Sequence, residues 1–384
     1  MNDPQDIALP PPELVDAIIR EVDSKQALLN LRLTCKSFHE IATPYAFHTF
    51  DIPMKSNAKS LVIDFLEAPD LVKYVRKLRV NAQEGTKVFW DVVKDEEGNE
   101  LVLYPEPYKE TDLMFSRLDD IRCIFLNPMA SFANVDTLCL YFPEVFRPEP
   151  LYEDENEDGW AYNLAYKICR SLRYSPLKYT LHTLEIQYLP LCDILLEALS
   201  SRSSSLTSLK ITECLPKPYL TSKFWDSFTY ARLQHLHLSK VGIKIEDSPS
   251  KNALETDLER FLLRHSGCIR TIRLDECLII VEKGATPGFP RTWADVWRNI
   301  EENIPHLKRF KFEPAPRDPS YVSSGSSNYI GLSYGLWQWS PRAYFSIISG
   351  ERDRAAENLP SERDDRAAWD RLQTTLEKRR KRSN

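Results

Sequence analysis

The sequence predicts an α/β fold in which three short helices precede an irregular solenoid of alternating strands and helices. Near the N-terminus, apolar residues recur at the three- and four-residue spacing of amphipathic helices. Farther along, the phrase L-x-x-L-x-L recurs, and its last three residues alternate like those of a strand with one buried face. Helical patterns lie between the phrases, so strand and helix alternate along most of the chain.

Three short helical patterns make up the N-terminal segment, residues 7–50. The first begins at Pro12, since proline is favoured at the first helical position. Asp23 or Ser24 caps the second, and we expect the third to end at Pro44, which lacks the N–H that a helix needs. Helices this short are held in place only by packing.

The first helix is apolar on two sides. Leu14, Ile18 and Val22 form one stripe at four-residue spacing, and Val15 and Ile19 form a second stripe beside it. Three short helices can bury only one such stripe among themselves. We expect the other to be covered by a partner or by the rest of the chain.

The N-terminal segment resembles an F-box. LPPPELVDAIIREV, with ALLNLRLTCKSFHEIATPYAF after it, follows the pattern L-P-x-E-[LI], a later isoleucine, and L-x-x-L-[RL]-x-[TV]-C-[KR]-x-[FW]. The departure is an extra proline, Pro12, which shifts how the first turn begins. The matching positions are Leu9, Pro10, Glu13, Leu14, Ile18, Leu28, Leu31, Cys35, Lys36 and Phe38.

The resemblance implies a partner for these ten residues. Helices of the F-box family interlock with a Skp-type adaptor, which links them to the cullin and RING subunits of an SCF-type ubiquitin ligase. An adaptor would cover the apolar stripe that the helices cannot bury. The alternative is that this stripe packs on the later part of the same chain.

Seven phrases place strands in residues 51–313. They are VRKLRV (75–80), VDTLCL (135–140), LHTLEI (181–186), LTSLKI (206–211), LQHLHL (233–238), IRTIRL (269–274) and LKRFKF (307–312). Two phrases continue to Cys214 and Cys277, where leucine-rich repeats commonly place Asn or Cys. The phrases are unevenly spaced, most often by more than the roughly 20–29 residues of such repeats. The region resembles the divergent leucine-rich repeats of fungal F-box proteins, which are believed to select substrates.

Between the leucines of each phrase, alternate side chains point to the open face of the sheet. We hypothesise that a basic strip there binds an acidic or phosphorylated segment of a substrate protein. The alternative is an ordinary solvated face, on which Glu185, Asp275 and Glu313 offset the positive charges. The basic strip consists of Lys210, His235, His237, Arg273, Arg309 and Lys311.

Sequence signals for metal binding and for catalysis are weak. The acidic stretch 154–159 resembles the start of a calcium loop, but Ala165 stands where a bidentate glutamate is needed. His235 and His237 share a strand face without an apparent third metal ligand. No phosphate-binding loop and no G-x-S-x-G or H-E-x-x-H motif occurs. We therefore expect no catalytic site, no metal and no cofactor.

Two segments follow the repeats. Residues 314–350 combine a Ser/Gly/Pro loop with aromatic residues that we expect to cap the open end of the solenoid. Residues 351–384 form a charged tail with one amphipathic helix, whose apolar side is Ala368, Leu372 and Leu376. Its basic run, 378–382, is either a nuclear import signal or a set of solvated cations favoured at a helix C-terminus.

Composition agrees with a globular protein that binds other proteins. The 384 residues are 42% hydrophobic and 28% charged, and the net charge of −6 disfavours a dedicated nucleic-acid binder. We see no secretory signal and no membrane span. Eight cysteines without C-x-x-C pairs indicate reduced thiols in a cytoplasmic or nuclear protein.

The sequence thus predicts a non-catalytic substrate-recognition subunit of an SCF-type ubiquitin ligase. Its expected partners are a Skp-type adaptor, through it cullin and RING subunits, and an unknown protein substrate, but neither nucleic acid nor a membrane. One alternative is a repeat-based scaffold that uses the F-box only to associate with the adaptor. An enzyme whose site has no recognisable motif is another.

Overall fold

The computed structural model shows an α/β protein with a large parallel sheet. The part of the chain described below contains eight helices and fourteen strands. The described residues are 11–53, 58–81, 91–94, 100–103, 132–142, 180–190, 205–215, 225–226, 229–247, 254–282, 289–314, 334–337 and 360–383.

The first three helices form a bundle with a hydrophobic core of its own. They are α1 (Pro12–Arg20), α2 (Lys25–Arg32) and α3 (Lys36–Ala46). The predicted cap of α2 is confirmed at Ser24, whose Oγ accepts a hydrogen bond from the backbone N–H of Ala27 at 3.2 Å. The bundle core consists of Val15, Ile19, Leu28, Ala42 and Ala46.

Helix α3 does not end at Pro44 as predicted. Pro44 lies inside the helix, which continues to Ala46. The backbone N–H of Phe47 still donates to the carbonyl of Thr43 at 3.1 Å, and Ala46 is buried in the bundle core. Packing of the last turn therefore outweighs the one hydrogen bond that proline removes.

Fourteen strands follow or flank the bundle. In chain order they are β1 (Thr49–Pro53), β2 (Lys77–Asn81), β3 (Asp91–Lys94), β4 (Glu100–Leu103), β5 (Thr137–Tyr141), β6 (Thr183–Pro190), β7 (Ser208–Leu215), β8 (His235–Ser239), β9 (Gly242–Asp247), β10 (Leu254–Thr256), β11 (Thr271–Asp275), β12 (Leu278–Glu282), β13 (Arg309–Glu313) and β14 (Tyr334–Trp337).

The main sheet is entirely parallel and follows chain order. Its eight strands lie in the order β1-β2-β5-β6-β7-β8-β11-β13. All seven phrases predicted as strands form strands of this sheet, and β1 is the one strand that the phrases did not predict. The phrases also share one register, since Leu209, Leu236, Ile272 and Phe310 lie opposite one another on successive strands and are buried.

A second sheet contains four strands. Its strand order is β10-β9-β12-β14, while β3 and β4 form a separate antiparallel pair. Non-glycine residues with positive φ lie at the same distance after the start of four successive phrases: Tyr188, Glu213, Lys240 and Glu276, with φ of 56°, 59°, 53° and 54°. Lys240 and Glu276 lie where the chain passes from the main sheet to β9 and β12, whereas Tyr188 and Glu213 lie within β6 and β7, which still pair beyond them at Leu189 and Cys214. Positive φ has a conformational cost that buried neighbours such as Val241 and Cys277 must offset.

Five more helices complete the described fold. They are α4 (Ala58–Leu66), α5 (Pro69–Val72), α6 (Asp257–Arg264), α7 (Trp293–Asn303) and α8 (Glu362–Ser383). Helix α8 packs on α7 and β13, and the predicted apolar side of α8 is confirmed because Ala368, Leu372 and Leu376 are buried. None of the described helices is both long enough and apolar enough to cross a lipid bilayer.

Helix α8 covers the last strand of the main sheet. The indole of Trp369 packs against the ring of Phe310, with ring centroids 5.4 Å apart, and the amide of Gln373 donates to the carbonyl of Phe310 at 3.0 Å. Of the segment predicted to cap this end, the structure describes residue 314 and strand β14. Within the described residues, the tail segment therefore covers the edge strand, while β14 extends the second sheet.

Candidate protein-binding surfaces

An apolar face of two side chains is exposed on α1. Leu14 is 53% exposed and Ile18 is 56% exposed, whereas Val15 and Ile19 are 6% and 2% exposed. The prediction that only one of two apolar stripes is buried in the bundle is therefore confirmed for these four residues. Val22, the third member of the stripe of Leu14 and Ile18, is instead half-buried against the bundle core. We call Leu14 and Ile18 the apolar face of α1.

Hydrogen bonds fix the orientation of α1 on α3. The hydroxyl of Tyr45 donates to Oδ1 of Asp16 at 2.7 Å, and Nε of Arg20 donates to the Tyr45 hydroxyl at 2.9 Å. The guanidinium of Arg20 lies 2.6 Å from Oδ2 of Asp16. These contacts among Asp16, Arg20 and Tyr45 were not predicted, since only the tertiary structure brings Tyr45 to α1. They help to keep Leu14 and Ile18 on the outer side.

The other predicted adaptor residues differ in exposure. Leu28 is 6% exposed and belongs to the bundle core, so it stabilises the bundle rather than contributing exposed surface. Glu13 and Lys36 are exposed, and Leu9 and Pro10 lie outside the described residues. The half-buried members of the set are Leu31, Cys35 and Phe38.

The register of the main sheet brings the basic strip together. Lys210 lies opposite His237, His237 opposite Arg273, and Arg273 opposite Lys311. Two residues nearer the amino ends of the same strands, Thr271 lies between His235 and Arg309. The predicted neighbours are thus neighbours in the structure.

Acidic side chains offset part of the charge of the basic strip. Asp275 accepts from Arg273 at 2.6 Å and lies 2.8 Å from Nε2 of His237. Glu313 lies 2.5 Å from Nζ of Lys311 and 3.6 Å from the guanidinium of Arg273. The alternative of a charge-balanced face therefore describes the carboxyl ends of these strands well.

Burial further weakens the positive charge of His237. The pKa of His237 is lowered by burial, although the neighbouring Asp275 raises it in part. On the same face, burial and the nearby Glu185 raise the pKa of Cys139 to about 11. The Cys139 thiol therefore stays protonated at neutral pH and is a poor nucleophile.

Neither weak metal signal gains support from the geometry. Within the described ranges, no three or more His, Cys, Asp or Glu side chains cluster as metal ligands would. The calcium-like stretch 154–159 lies outside the described residues. The thiols of Cys35, Cys139, Cys268 and Cys277 are free, and Sγ of Cys277 lies 3.6 Å from the carbonyl of Leu238 on β8.

The basic run 378–382 lies in α8. Arg379 donates to the carbonyl oxygens of Ile304 at 2.8 Å and Glu301 at 2.7 Å, which lie at the end of α7. The neighbouring Lys378, Lys381 and Arg382 are exposed. The run is therefore a helical surface next to the main sheet.

No protein-family model matches the chain, and no curated protein matches its sequence. Its function is therefore inferred from the placement of its own residues.

Proposed function

We propose that this protein is the substrate-recognition subunit of an SCF-type ubiquitin ligase. In this proposal the N-terminal bundle is an F-box that docks a Skp-type adaptor, and the main sheet belongs to a divergent leucine-rich-repeat solenoid that binds the substrate protein. The adaptor then links the bound substrate to the cullin and RING subunits. The protein itself performs no chemistry.

The exposed apolar face of α1 carries the proposal. Leu14 and Ile18 lie beside a bundle core that is already complete without them. Large aliphatic side chains gain roughly 1.5–3 kcal/mol each when a partner removes them from water. Both residues belong to the F-box pattern of the sequence, so the resemblance and the exposure point to the same surface.

The main sheet supports the repeat part of the proposal. Strands that follow chain order, all parallel and in one register, are what stacked strand–helix repeats produce. Four residues with positive φ recur at one position of successive units. In such an architecture, each repeat adds one row of side chains to a continuous binding face.

Affinity purification of variants from cells tests the adaptor contact. Leu14→Ala together with Ile18→Ala should abolish co-purification of the adaptor and the cullin, because both large contacts are lost. Leu61 and Ile63 on α4 provide a matched control, since they are 37% and 44% exposed and lie outside the bundle. The double variant Leu61→Ala with Ile63→Ala should retain both partners.

Three outcomes would count against parts of the proposal. Wild-type protein without adaptor contradicts the F-box assignment, and equal loss in both double variants shows a general effect of removing apolar surface. Recovery of adaptor without cullin supports instead the scaffold that uses the F-box for association alone.

A further inference from the structure

A group of cations that form no ion pair within the described residues lies at the amino ends of the last strands of the main sheet. The backbone N–H of Lys308 donates to the carbonyl of Arg270 at 2.8 Å, as does that of Arg309 at 3.1 Å. These bonds place the three residues side by side at the start of β11 and β13. Lys308 and Arg309 are exposed, and Arg270 is half-buried.

Helix α8 brings more positive charge to the same edge. Its start contacts the start of α7, where Asp365 accepts from the backbone N–H of Ala294 at 2.8 Å. Its end contacts the end of α7, where Arg379 bonds to the carbonyl of Ile304 at 2.8 Å. The two helices therefore run parallel. Because Arg309 begins β13 shortly after α7 ends, the basic run of α8 finishes at the amino end of β13.

The combined surface differs from the carboxyl ends of the same strands. At the carboxyl ends, Arg273 and Lys311 both form ion pairs with Glu313. Glu302 and Glu377 are exposed near the amino-end cations, but within the described part of the chain they form no ion pair with them. We call the six cations the amino-end patch: Arg270, Lys308, Arg309, Lys378, Lys381 and Arg382.

We infer that the amino-end patch binds an acidic segment of a protein partner. Lys and Arg side chains that are mostly exposed and have no ion pair within the described residues complement a run of carboxylates, which need no deep pocket. A nucleic acid fits less well, because the whole chain carries a net charge of −6. As a statement about the substrate class, the inference rests on the proposed function.

Fluorescence anisotropy with purified full-length protein tests the patch. The probes are a labelled peptide of alternating Glu and Ser, its Gln–Ser counterpart, and single-stranded RNA with the same number of charges. The wild type should bind the Glu–Ser peptide most tightly. The variant Lys308→Glu, Arg309→Glu, Lys381→Glu should bind this peptide about tenfold or more weakly, since like charges across an interface repel strongly.

A control variant separates the patch from net charge. Lys73→Glu, Arg76→Glu, Arg363→Glu makes the same change of charge at exposed sites away from the patch. Its affinity should stay within about twofold of the wild type, because charges beyond a Debye length of about 8 Å are screened. Lys308→Gln, Arg309→Gln, Lys381→Gln should also lose affinity, which serves as a second variant if charge reversal prevents folding.

Several results would overturn the inference. They are equal loss in the control variant, binding of the Gln–Ser peptide as tight as that of Glu–Ser, and tighter binding of RNA. Adaptor purification with the same variants keeps the two proposals apart. The patch variant should retain the adaptor, and the Leu14→Ala, Ile18→Ala variant should retain the acidic peptide.

Discussion

His237 and Asp275 lie on neighbouring strands of the main sheet, with Nε2 of His237 2.8 Å from Oδ2 of Asp275. The same carboxylate oxygen accepts from Nε of Arg273 at 2.6 Å. Asp275 therefore pairs with two members of the basic strip, His237 and Arg273. These contacts reduce the positive charge at the carboxyl ends of the strands.

Asp275→Asn should lower the pKa of His237 below its value in the wild type. Burial already lowers the pKa of His237, Asp275 opposes that effect, and Arg273 and Lys210 add to it. An NMR titration of the imidazole measures the change. Glu313→Gln, which leaves the His237–Asp275 contact in place, should have a much smaller effect. A pKa that Asp275→Asn does not lower would contradict the contact.

The free energy of unfolding should fall as pH decreases below about 6.5, the ordinary pKa of an imidazole. Buried His265 accepts from the backbone N–H of Tyr230 at 2.9 Å and its Nδ1 lies 2.7 Å from the carbonyl of Phe261, so it is held neutral. Burial lowers the pKa of His265. As the pH falls, His265 therefore binds a proton in the unfolded chain at a higher pH than in the native state. The free energy of unfolding decreases between these two pKa values.

Urea unfolding at pH 7.5 and at about pH 5.5, on either side of most of this window, measures the effect. Replacing His265 by Gln should reduce the pH dependence, because the side chain no longer titrates. His235→Gln provides a control for the same replacement at an exposed histidine. Identical pH profiles for wild type and His265→Gln would show that His265 does not carry the effect.

Leu372→Ala should lower the free energy of unfolding by about 2–5 kcal/mol, the cost of removing a buried leucine. Leu372 is fully buried in the contact between α8 and the rest of the main core. Leu33→Ala provides the control, because Leu33 is 84% exposed and should change stability by less than about 0.5 kcal/mol. Denaturant unfolding distinguishes these values. A neutral Leu372→Ala would mean that α8 does not dock on the sheet.

The two stripes of α1 should respond differently to truncation. Ile19→Ala removes a core side chain and should lower the free energy of unfolding by about 2–5 kcal/mol. Ile18→Ala removes exposed surface and should stay within about 0.5 kcal/mol of the wild type. Thermal or denaturant unfolding of the two variants compares them directly. A reversed order would assign the wrong stripe to the bundle core.

Much of the main sheet could be predicted because its phrases repeat. The leucines of each phrase face the core, so periodicity alone places the strand and predicts the residues on its open face. Strand β1 carries the same pattern in FHTFDI (47–52), with phenylalanine at the first and fourth positions, and was missed because most of it falls within the segment 7–50 assigned to the N-terminal helices. The second sheet left a similar weak signal in the alternating Ile243 and Ile245 of β9, which only pairing with β12 makes clear.

Tertiary contacts account for what the sequence did not predict. The hydrogen bond from Tyr45 to Asp16 and the packing of Trp369 on Phe310 join residues far apart in the chain. The positive φ of Glu213 and Glu276 has no local signal, since glycine is the residue that favours this conformation. The amino-end patch likewise forms only because α8 runs parallel to α7.

Titration of the purified protein with a recombinant Skp-type adaptor tests the central claim most directly. By isothermal titration calorimetry, the wild type and the Leu61→Ala, Ile63→Ala control should bind the adaptor one to one. The Leu14→Ala, Ile18→Ala variant should lose about 2 kcal/mol or more of binding free energy while remaining folded. No binding by the wild type, or equal binding by the Leu14→Ala, Ile18→Ala variant, would contradict the claim that this exposed face docks the adaptor.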